Sequence, residues 1–339
     1  MLNSLESLCN IYAPSGNEEA VRDYILKEIS NYCDAKTDPN GNIIAFKKGK
    51  KSALKKVMLD AHMDEVGFII TAITEQGFLR FSTVGGIETE ALLSSFVTVN
   101  GINGVIGLKP IHLCGDEEKK QLPKKEDLVI DIGAKTKEDA QRMVSIGDIG
   151  TFISSFKYLS KDTIKSKALD DRFGCSALIE LLKEESEFDF YATFTVGEEI
   201  GLRGATTATY TVNPDFALVL EATTAADIHG SPEDKRVCLM NNGAVISFMD
   251  HSTLYPKELF DLAFQTAKEE NIKVQTKSAV AGGNNSGAIH LSRGGVKTLA
   301  ISLPCRYIHS PNSVASVDDM GAVLGLARAL KDRLAGGLI

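Results

Sequence analysis

Histidine and carboxylate side chains stand directly after several apolar segments of this 339-residue sequence. These residues are His62, Glu198, Glu199 and Glu221, and Asp170 stands just before a predicted helix. Ligand sites in open α/β sheets form outside the carboxyl ends of the strands, so we expect these side chains to lie close together. Imidazole and carboxylate groups without a thiolate suit Zn²⁺, Co²⁺ or Mn²⁺. The pattern therefore predicts a metal site.

His62 and Asp64 are two positions apart on a predicted strand, so their side chains point to the same side. A metal-bound imidazole usually donates its other ring N–H to a carboxylate, and Asp64 could be that acceptor. Taken alone, the pair is equally consistent with a core histidine that is held by an aspartate for structural reasons. The pair gains weight only from the other candidate ligands.

Glu198 and Glu199 are adjacent at the mouth of a predicted strand, so their side chains diverge. One could bind a metal while the other acts as a general base, although two solvated glutamates in a turn are the alternative. Asp170 could be a helix cap, but beside the other candidates we prefer a bridging ligand. With His309, which lies in a loop, there are five candidate ligands. A single catalytic zinc ion uses three, so the set implies two metals.

The periodicity of the sequence predicts an α/β fold that is interrupted by a second domain. Segments 1–66 and 157–339 alternate helices with apolar strands, which favours a mixed sheet flanked by helices. Segment 67–156 consists of short β-rich pieces separated by glycines, which favours a small inserted β-barrel or sandwich. Within the first segment, Ser15 and Glu18 have the spacing of a helix capping box.

Composition narrows the class of protein. The formal net charge of −8 argues against a nucleic-acid partner, because phosphate binding needs clustered lysine and arginine. The 6 cysteines are scattered without a CxxC pair, which favours reduced thiols. No apolar run reaches the roughly 18 residues of a membrane span. We therefore expect a soluble, cytoplasmic protein without a membrane partner.

Four segments carry a resemblance to a known family. The segments are AHMDEVG at 61–67, ALDDR at 168–172, GEEIGLRG at 197–204 and RYIHSP at 306–311. Together they resemble the motifs of the tetrahedral and glutamyl (deblocking) aminopeptidases, some of which carry an endoglucanase label. The motifs occur in the order of the family, and the resemblance extends from about residue 10 to residue 330.

The resemblance implies a zinc-exopeptidase-like fold and two metal ions, most often Zn²⁺ or Co²⁺, that share one carboxylate. The implied ligands are His62, Asp170 and Glu221 for one ion, and Asp170, Glu199 and His309 for the other. Glu198 would be the general base, and Asp64 would orient His62. The implied reaction removes N-terminal residues from peptide substrates through a water that bridges the two metals. The inserted β domain at 67–156 would mediate assembly into dimers or tetrahedral dodecamers.

One departure from the family concerns the segment Gly282-Gly283-Asn284-Asn285. Many relatives have Gly-Gly-Thr-Asp here, so Asn285 lacks the negative charge of an aspartate. We expect that missing charge to lie near the substrate end of the site, where it would alter affinity or substrate choice. Arg306, close to His309 in the sequence, is a candidate cation for substrate binding.

Three other functions use parts of the same pattern. An N-acyl deacylase would use the same two-metal site on a substrate without a free amine. A glycosidase would need two carboxylates about 5–9.5 Å apart and no metal, which leaves His62 and His309 without a role. A scaffold that has lost catalysis is the third, and only Asn285 favours it. Metal dependence and a requirement for a free amine separate the aminopeptidase from all three.

Overall fold

The computed structural model describes residues 1–338, and it confirms the predicted α/β class. A mixed sheet is flanked by helices on both faces, and a separate set of six strands forms a closed barrel. The sheet strands are β1 (Asp34–Thr37), β2 (Ile43–Lys47), β3 (Val57–His62), β10 (Lys157–Tyr158), β11 (Thr163–Ser166), β12 (Phe190–Thr195), β13 (Phe216–Thr224), β14 (Ala244–Ile246), β15 (Val274–Thr276), β16 (Lys297–Arg306) and β17 (Ser313–Ser316).

The barrel strands are β4 (Gly67–Ile73), β5 (Leu79–Val84), β6 (Phe96–Val99), β7 (Ile102–Gly107), β8 (Val129–Asp131) and β9 (Ile149–Phe152). The helices are α1 (Leu2–Asn10), α2 (Glu19–Ile29), α3 (Thr89–Leu92), α4 (Lys137–Gln141), α5 (Leu169–Lys183), α6 (Arg203–Val212), α7 (Lys257–Glu269), α8 (Ser286–Ile289) and α9 (Val317–Ala335). Short 3₁₀ turns occur at Ile111–Leu113, Glu118–Lys120, Lys125–Asp127 and Glu233–Lys235.

The centre of the sheet is parallel. Strand β3 pairs in parallel with β12 on one side and with β13 on the other, and β13 pairs in parallel with β16. Helix α5 packs on β3 and β13 from one face, and α8 packs on β13 and β16. Because both faces are covered, the central strands are almost continuously buried and apolar, as the sequence pattern predicts.

Alternation along β13 assigns each side chain to a face. Leu218 and Leu220 belong to the large core cluster with α5 and α9, whereas Ala217 and Val219 belong to the smaller cluster with α6 and α8. Glu221 belongs to the same series as Ala217 and Val219. The sequence predicted a position after the end of the strand, but Glu221 lies inside β13, because the strand continues to Thr224. Glu221 therefore points to the face of the sheet that α6 and α8 cover.

The barrel closes in the order β4, β5, β8, β7, β6, β9 and has its own apolar core around Phe68 and Phe152. It begins directly after the segment that carries His62 and Asp64. At Gly67 a Cβ atom would lie 2.5 Å from the backbone oxygen of Gly150. Only glycine allows this close approach of β4 to β9 beside the site.

Within residues 1–338, no helix is both long enough and apolar enough to cross a membrane.

Candidate metal centre

The parallel strands bring four of the predicted residues to one place. His62 is the last residue of β3, Glu221 lies in β13, and Glu198 and Glu199 follow β12. Residue alternation puts His62 on the same face as Glu221, because Met58 of β3 and Val219 of β13 share one core cluster. Asp170 comes from the first turn of α5, whose backbone leaves the helical conformation at that residue.

Asp170 lies between the two predicted histidine ligands. Its Oδ1 atom is 3.2 Å from Nε2 of His62, and its Oδ2 atom is 3.2 Å from Nε2 of His309. One carboxylate thus offers one oxygen to each imidazole. This is the arrangement that a bridging carboxylate requires.

A glutamate completes each half of the cluster. His62 Nε2 lies 3.5 Å from Oε1 of Glu221, and His309 Nε2 lies 3.3 Å from Oε1 of Glu199. The structure therefore brings together all five residues that the sequence nominated as ligands. They form two triads with Asp170 in common.

The spacing of these atoms fits a pair of divalent cations. Ligand atoms bound tetrahedrally at about 2.0–2.1 Å lie roughly 3.3 Å from one another. The distances from each histidine Nε2 atom to the nearest oxygen of Asp170 and of its glutamate, four in all, range from 3.2 to 3.5 Å. Oε2 of Glu221 is also buried without a hydrogen-bond partner within the described chain, and such an atom needs a cation or a donor. The donor set is imidazole and carboxylate, which suits Zn²⁺ or Co²⁺.

The electrostatics show an excess of negative charge. Burial lowers the pKa of His62, but Glu221 and Asp170 outweigh it and raise that pKa well above its usual range. His309 behaves alike, with Asp170 and Glu199 raising its pKa to about 9 against the effect of burial. Burial raises the pKa of Glu199 to about 8 and that of Glu221 well above its usual value. A cluster in which acids resist ionisation is one that a cation stabilises.

The second ring nitrogen of each histidine is fixed. Nδ1 of His62 lies 3.1 Å from the backbone carbonyl oxygen of Asp64 and 3.3 Å from its Oδ1 atom. Nδ1 of His309 donates to the carbonyl oxygen of Gly86 at 2.6 Å. With a hydrogen held on Nδ1, each imidazole directs its Nε2 atom toward Asp170, and loss of the Nε2 proton would free that atom to bind a metal. Such partners select the tautomer that can bind a metal.

Asp64 also holds the loop that follows β12. It is fully buried and accepts hydrogen bonds from the backbone N–H groups of Glu198 and Glu199, at 3.0 and 3.1 Å. The hydroxyl of Ser15 donates to its Oδ2 atom at 2.6 Å. The predicted capping role of Ser15 is wrong, because α2 begins at Glu19 without a side-chain cap. Sequence spacing alone gave no signal for the contact with Asp64.

Glu198 faces the cavity beside the triads. Burial raises its pKa to about 7, with the negative charges of Asp170 and Asp64 adding to the effect of burial and His62 opposing it. A carboxylate with a pKa near neutrality is suited to accept and return a proton at neutral pH.

Asp171 is close to the same cluster but has other partners. Its carboxylate accepts from the backbone N–H groups of Gly174, at 2.9 Å, and of His62, at 3.3 Å. Ligand atoms of Asp171, His62 and Glu221 do lie within 4.8 Å of one another. The oxygens of Asp171 are thus occupied by backbone donors, whereas those of Asp170 face the two histidines.

The expectation for Asn285 is wrong. Its side chain is 1% exposed and donates to Oδ2 of Asp60 and to Oγ1 of Thr195, both at 2.8 Å. It lies at the start of α8, inside the protein, so the missing charge does not face the substrate. Asn284, one residue earlier, lines the cavity instead.

Arg306 does not line the cavity beside the triads. Its guanidinium binds Asp227 through two hydrogen bonds, of 2.7 and 2.8 Å. The cavity next to the triads has a volume of about 380 Å³, and in residues 1–338 the one lysine or arginine that lines it is Lys277. Lys277 was not predicted from the sequence, because it follows the short edge strand β15 and has no motif around it.

The fold thus positions a cluster of histidine and carboxylate side chains, suited to metal binding, beside a cavity. The sequence matches the M42 glutamyl aminopeptidase family over residues 41–326, and the chain belongs to this family. It is thus a hydrolase, a metal-dependent aminopeptidase. This confirms the resemblance that the four motifs indicated.

Relatives match along almost the whole chain. A putative aminopeptidase of Acetivibrio thermocellus is 40% identical, over 96% of this chain and 97% of its own length. A lysyl aminopeptidase of Pyrococcus furiosus is 34% identical, over 94% of this chain and 93% of its own.

Solved structures agree with the fold. The TET aminopeptidase of a marine sediment thaumarchaeon matches with a TM-score of 0.94 at 31% identity, over 98% and 96% of the two chains. The TET1 peptidase of Pyrococcus horikoshii, which assembles into a tetrahedron or an octahedral shell, matches at 0.85 and 33% identity, over 97% and 98%. A Thermotoga maritima structure named endoglucanase matches at 0.81 and 34% identity, over 98% and 97%.

Proposed function

We propose that this protein is a two-metal aminopeptidase that hydrolyses the first peptide bond of peptide substrates. The observation that carries the proposal is the position of Asp170, with one carboxylate oxygen 3.2 Å from each of two histidines. One ion would be held by His62, Asp170 and Glu221, and the other by Asp170, Glu199 and His309. Zn²⁺ or Co²⁺ suits these ligands.

The ions would polarise the scissile carbonyl and make an attacking water more acidic. Glu198 accepts the proton of that water and returns it to the leaving amine, which its pKa of about 7 supports. Asp64 positions both His62 and the backbone that carries Glu198. The free amine of the substrate would face the acidic cluster, because four carboxylates line that end of the cavity.

The test is Glu198→Gln, which keeps the size of the side chain but removes the base. We expect kcat to fall by about 10²–10⁴-fold while the bound metal content stays unchanged. Glu185→Gln, at an exposed position that pairs with Lys50, is the matched control and should behave as wild type. Near-normal turnover in Glu198→Gln would overturn the role of Glu198.

A panel of substrates distinguishes the aminopeptidase from the deacylase and the glycosidase. An aminopeptidase hydrolyses aminoacyl-nitroanilides only when the amine is free, whereas a deacylase acts on the acylated forms. Hydrolysis of a glucan that survives chelation would favour the glycosidase. The distances of 3.2–3.5 Å within the histidine-carboxylate triads support a metal site and not a pair of separated glycosidase acids.

We also propose that residues 67–156 form an inserted domain that mediates homo-oligomer formation. The support is a closed barrel with a separate core and several exposed apolar side chains, which are Phe96, Ile111, Leu113 and Leu122. The tetrahedral assembly of the P. horikoshii relative is consistent with this. Sedimentation of wild type and of Phe96→Asp tests it: wild type should be oligomeric, and the variant smaller.

A further inference from the structure

Ser15 and Glu18 have the spacing of a capping box, yet both side chains bond to distant segments and not to α2. Ser15 donates to Asp64, and Oε1 of Glu18 accepts a hydrogen bond from the backbone N–H of Gly197 at 3.1 Å. Helix α2 has no side-chain cap, so the carboxylate of Glu18 does not serve its own helix. The contact instead joins the N-terminal segment to the turn that carries Glu198.

Four consecutive backbone N–H groups of this turn donate to side-chain oxygens. They belong to residues 196–199, and their acceptors in chain order are Asn42 at 3.0 Å, Glu18 at 3.1 Å and the two oxygens of Asp64 at 3.0 and 3.1 Å. The carbonyl oxygens of residues 196–198 accept from the N–H groups of residues 201–204. Because the turn satisfies its carbonyls itself, its orientation in the protein depends on these three side chains.

Glu18 supports the turn at its sharpest point. Gly197 has a φ of +61°, in the left-handed region that favours glycine. Glu18 is buried, with 6% of its surface exposed, so water does not readily replace its oxygen. A buried N–H group that loses its acceptor is unfavourable, and the turn would have to shift to regain one.

The side chain of Glu198 depends on this backbone for its direction. Its backbone N–H donates to Asp64, and its carbonyl accepts from the turn, but within residues 1–338 no N–H or O–H group donates to its carboxylate. Its neighbour Glu199 differs, because Oε1 of Glu199 contacts His309 at 3.3 Å. A shift at Gly197 would therefore displace the carboxylate of Glu198 more than that of Glu199.

We propose that Glu18 is a positioning residue for the general base: it holds the backbone of Gly197 and thereby directs the carboxylate of Glu198 toward the cavity. The inference rests on the proposed function, since it takes Glu198 as the base. Asp64 contacts His62 as well as the turn, so its loss disturbs metal and base together. Glu18 bonds to the turn and, in the described chain, to no candidate ligand. Loss of Glu18 therefore acts on turnover and not on metal binding.

The first test is Glu18→Met, which keeps the approximate volume of the side chain and removes the acceptor. With the aminoacyl-nitroanilide that wild type hydrolyses fastest, we expect kcat to fall by about ten- to a hundred-fold, as for a reacting group displaced by about 1 Å. KM should stay within about twofold, and metal content should equal that of wild type. Glu18→Gln keeps an oxygen for the N–H of Gly197 and should restore kcat to within about fivefold of wild type. An unchanged kcat in Glu18→Met would overturn the proposal.

The matched control is Glu19→Met. Glu19 is the next residue, is exposed and lies in the first turn of α2, so the variant removes the same charge without touching Gly197. Its kinetics should equal those of wild type. An equal fall in kcat in this variant would attribute the effect to the charge at the start of α2 and overturn the role of the contact with Gly197.

A double-mutant cycle separates positioning of the base from a general loss of structure. If Glu18 acts through Glu198, adding Glu18→Met to Glu198→Gln leaves kcat within about twofold of that of Glu198→Gln alone. A further fall by the full factor seen in the wild-type background would overturn the proposal. If Glu18→Met does not fold, Glu18→Asp takes its place in every comparison, because it keeps the charge and withdraws the oxygen from Gly197.

The last test does not depend on turnover. Hydrogen exchange followed by mass spectrometry should show faster exchange in residues 196–204 of Glu18→Met than of wild type, with the β-barrel strands and Glu19→Met unchanged. Equal exchange in residues 196–204 would overturn the proposal. Absence of hydrolysis of every substrate by metal-loaded wild type, or full activity of Glu198→Gln, would instead overturn the proposed function, and the exchange data would still decide whether Glu18 holds the turn.

Discussion

Two buried charged clusters lie side by side in this protein, and their charge balance differs. In the metal centre, four carboxylates surround two histidines. In the second cluster, which we call the Glu65 cluster, Glu65 accepts from Lys167 at 2.6 and 2.7 Å and lies 3.4 Å from Arg172. In the first cluster four carboxylates outnumber two histidines, whereas the second has two cations for one carboxylate.

The two clusters are formed by neighbouring residues of the same motifs. Asp64 and Glu65 are adjacent, and Asp170 and Arg172 are two apart. Arg172 also donates to the carbonyl oxygens of Leu8, Ile11 and Ala13, which fastens the N-terminal segment to α5. The residue types in a motif therefore do not distinguish candidate metal ligands from charged side chains that have a structural role. The two are distinguished by the local balance of charge and by whether the hydrogen bonds of each group are satisfied.

The largest effect is expected for Asp170→Asn, because it removes the carboxylate that both triads share. We expect loss of both metal ions and a fall in kcat/KM of about 10³-fold or more, with the fold retained. Metal content by mass spectrometry and circular dichroism together check this. Retention of two tightly bound ions would show that the triads do not depend on Asp170.

Glu65→Gln tests the other cluster. It leaves Lys167 and Arg172 buried without a full negative partner, so we expect the free energy of unfolding to fall by about 3–5 kcal/mol. Urea unfolding measures this, and metal content per folded subunit should remain that of wild type. Unchanged stability together with loss of metal would assign Glu65 to the metal centre and remove the distinction between the clusters.

Asp64→Asn should have a smaller effect on the metal centre than loss of Asp170. The amide has one acceptor oxygen instead of two, so it keeps only one of the two backbone hydrogen bonds from Glu198 and Glu199. It also no longer offers His62 a charged acceptor. We expect metal affinity to fall by about 10–100-fold. Competition with a chelator gives the affinity directly. An affinity equal to that of wild type would mean that the geometry of the loop, and not the charge of Asp64, holds His62.

The clustering of the candidate ligands could be predicted from the sequence because strand ends in a parallel sheet meet at one edge. His62, Glu199 and Glu221 follow or terminate apolar segments, and that local pattern is visible without a structure. Asp170 and His309 carry a weaker signal, since a helix-start aspartate and a loop histidine are common, and they gained weight from the other candidates and from the family resemblance. Runs of apolar residues also predicted the central strands of the sheet.

Other features depend on contacts between distant segments. The hydroxyl of Ser15 reaches Asp64, 49 positions away, and Arg306 pairs with Asp227, 79 positions away. The sequence around Asn285 predicts a residue near the substrate, yet α8 packs against the sheet so that the Asn285 side chain points toward Asp60. Lys277 reaches the cavity only because β14 and β15 extend the sheet beyond β16. No local periodicity encodes these pairings.

The most direct test of the two-metal proposal is anomalous diffraction from crystals grown with Zn²⁺ or Co²⁺. Two peaks per subunit are expected, one on each side of the Asp170 carboxylate, with His62 and His309 as ligands of different ions. A single peak, or two peaks that do not share Asp170, would contradict the account.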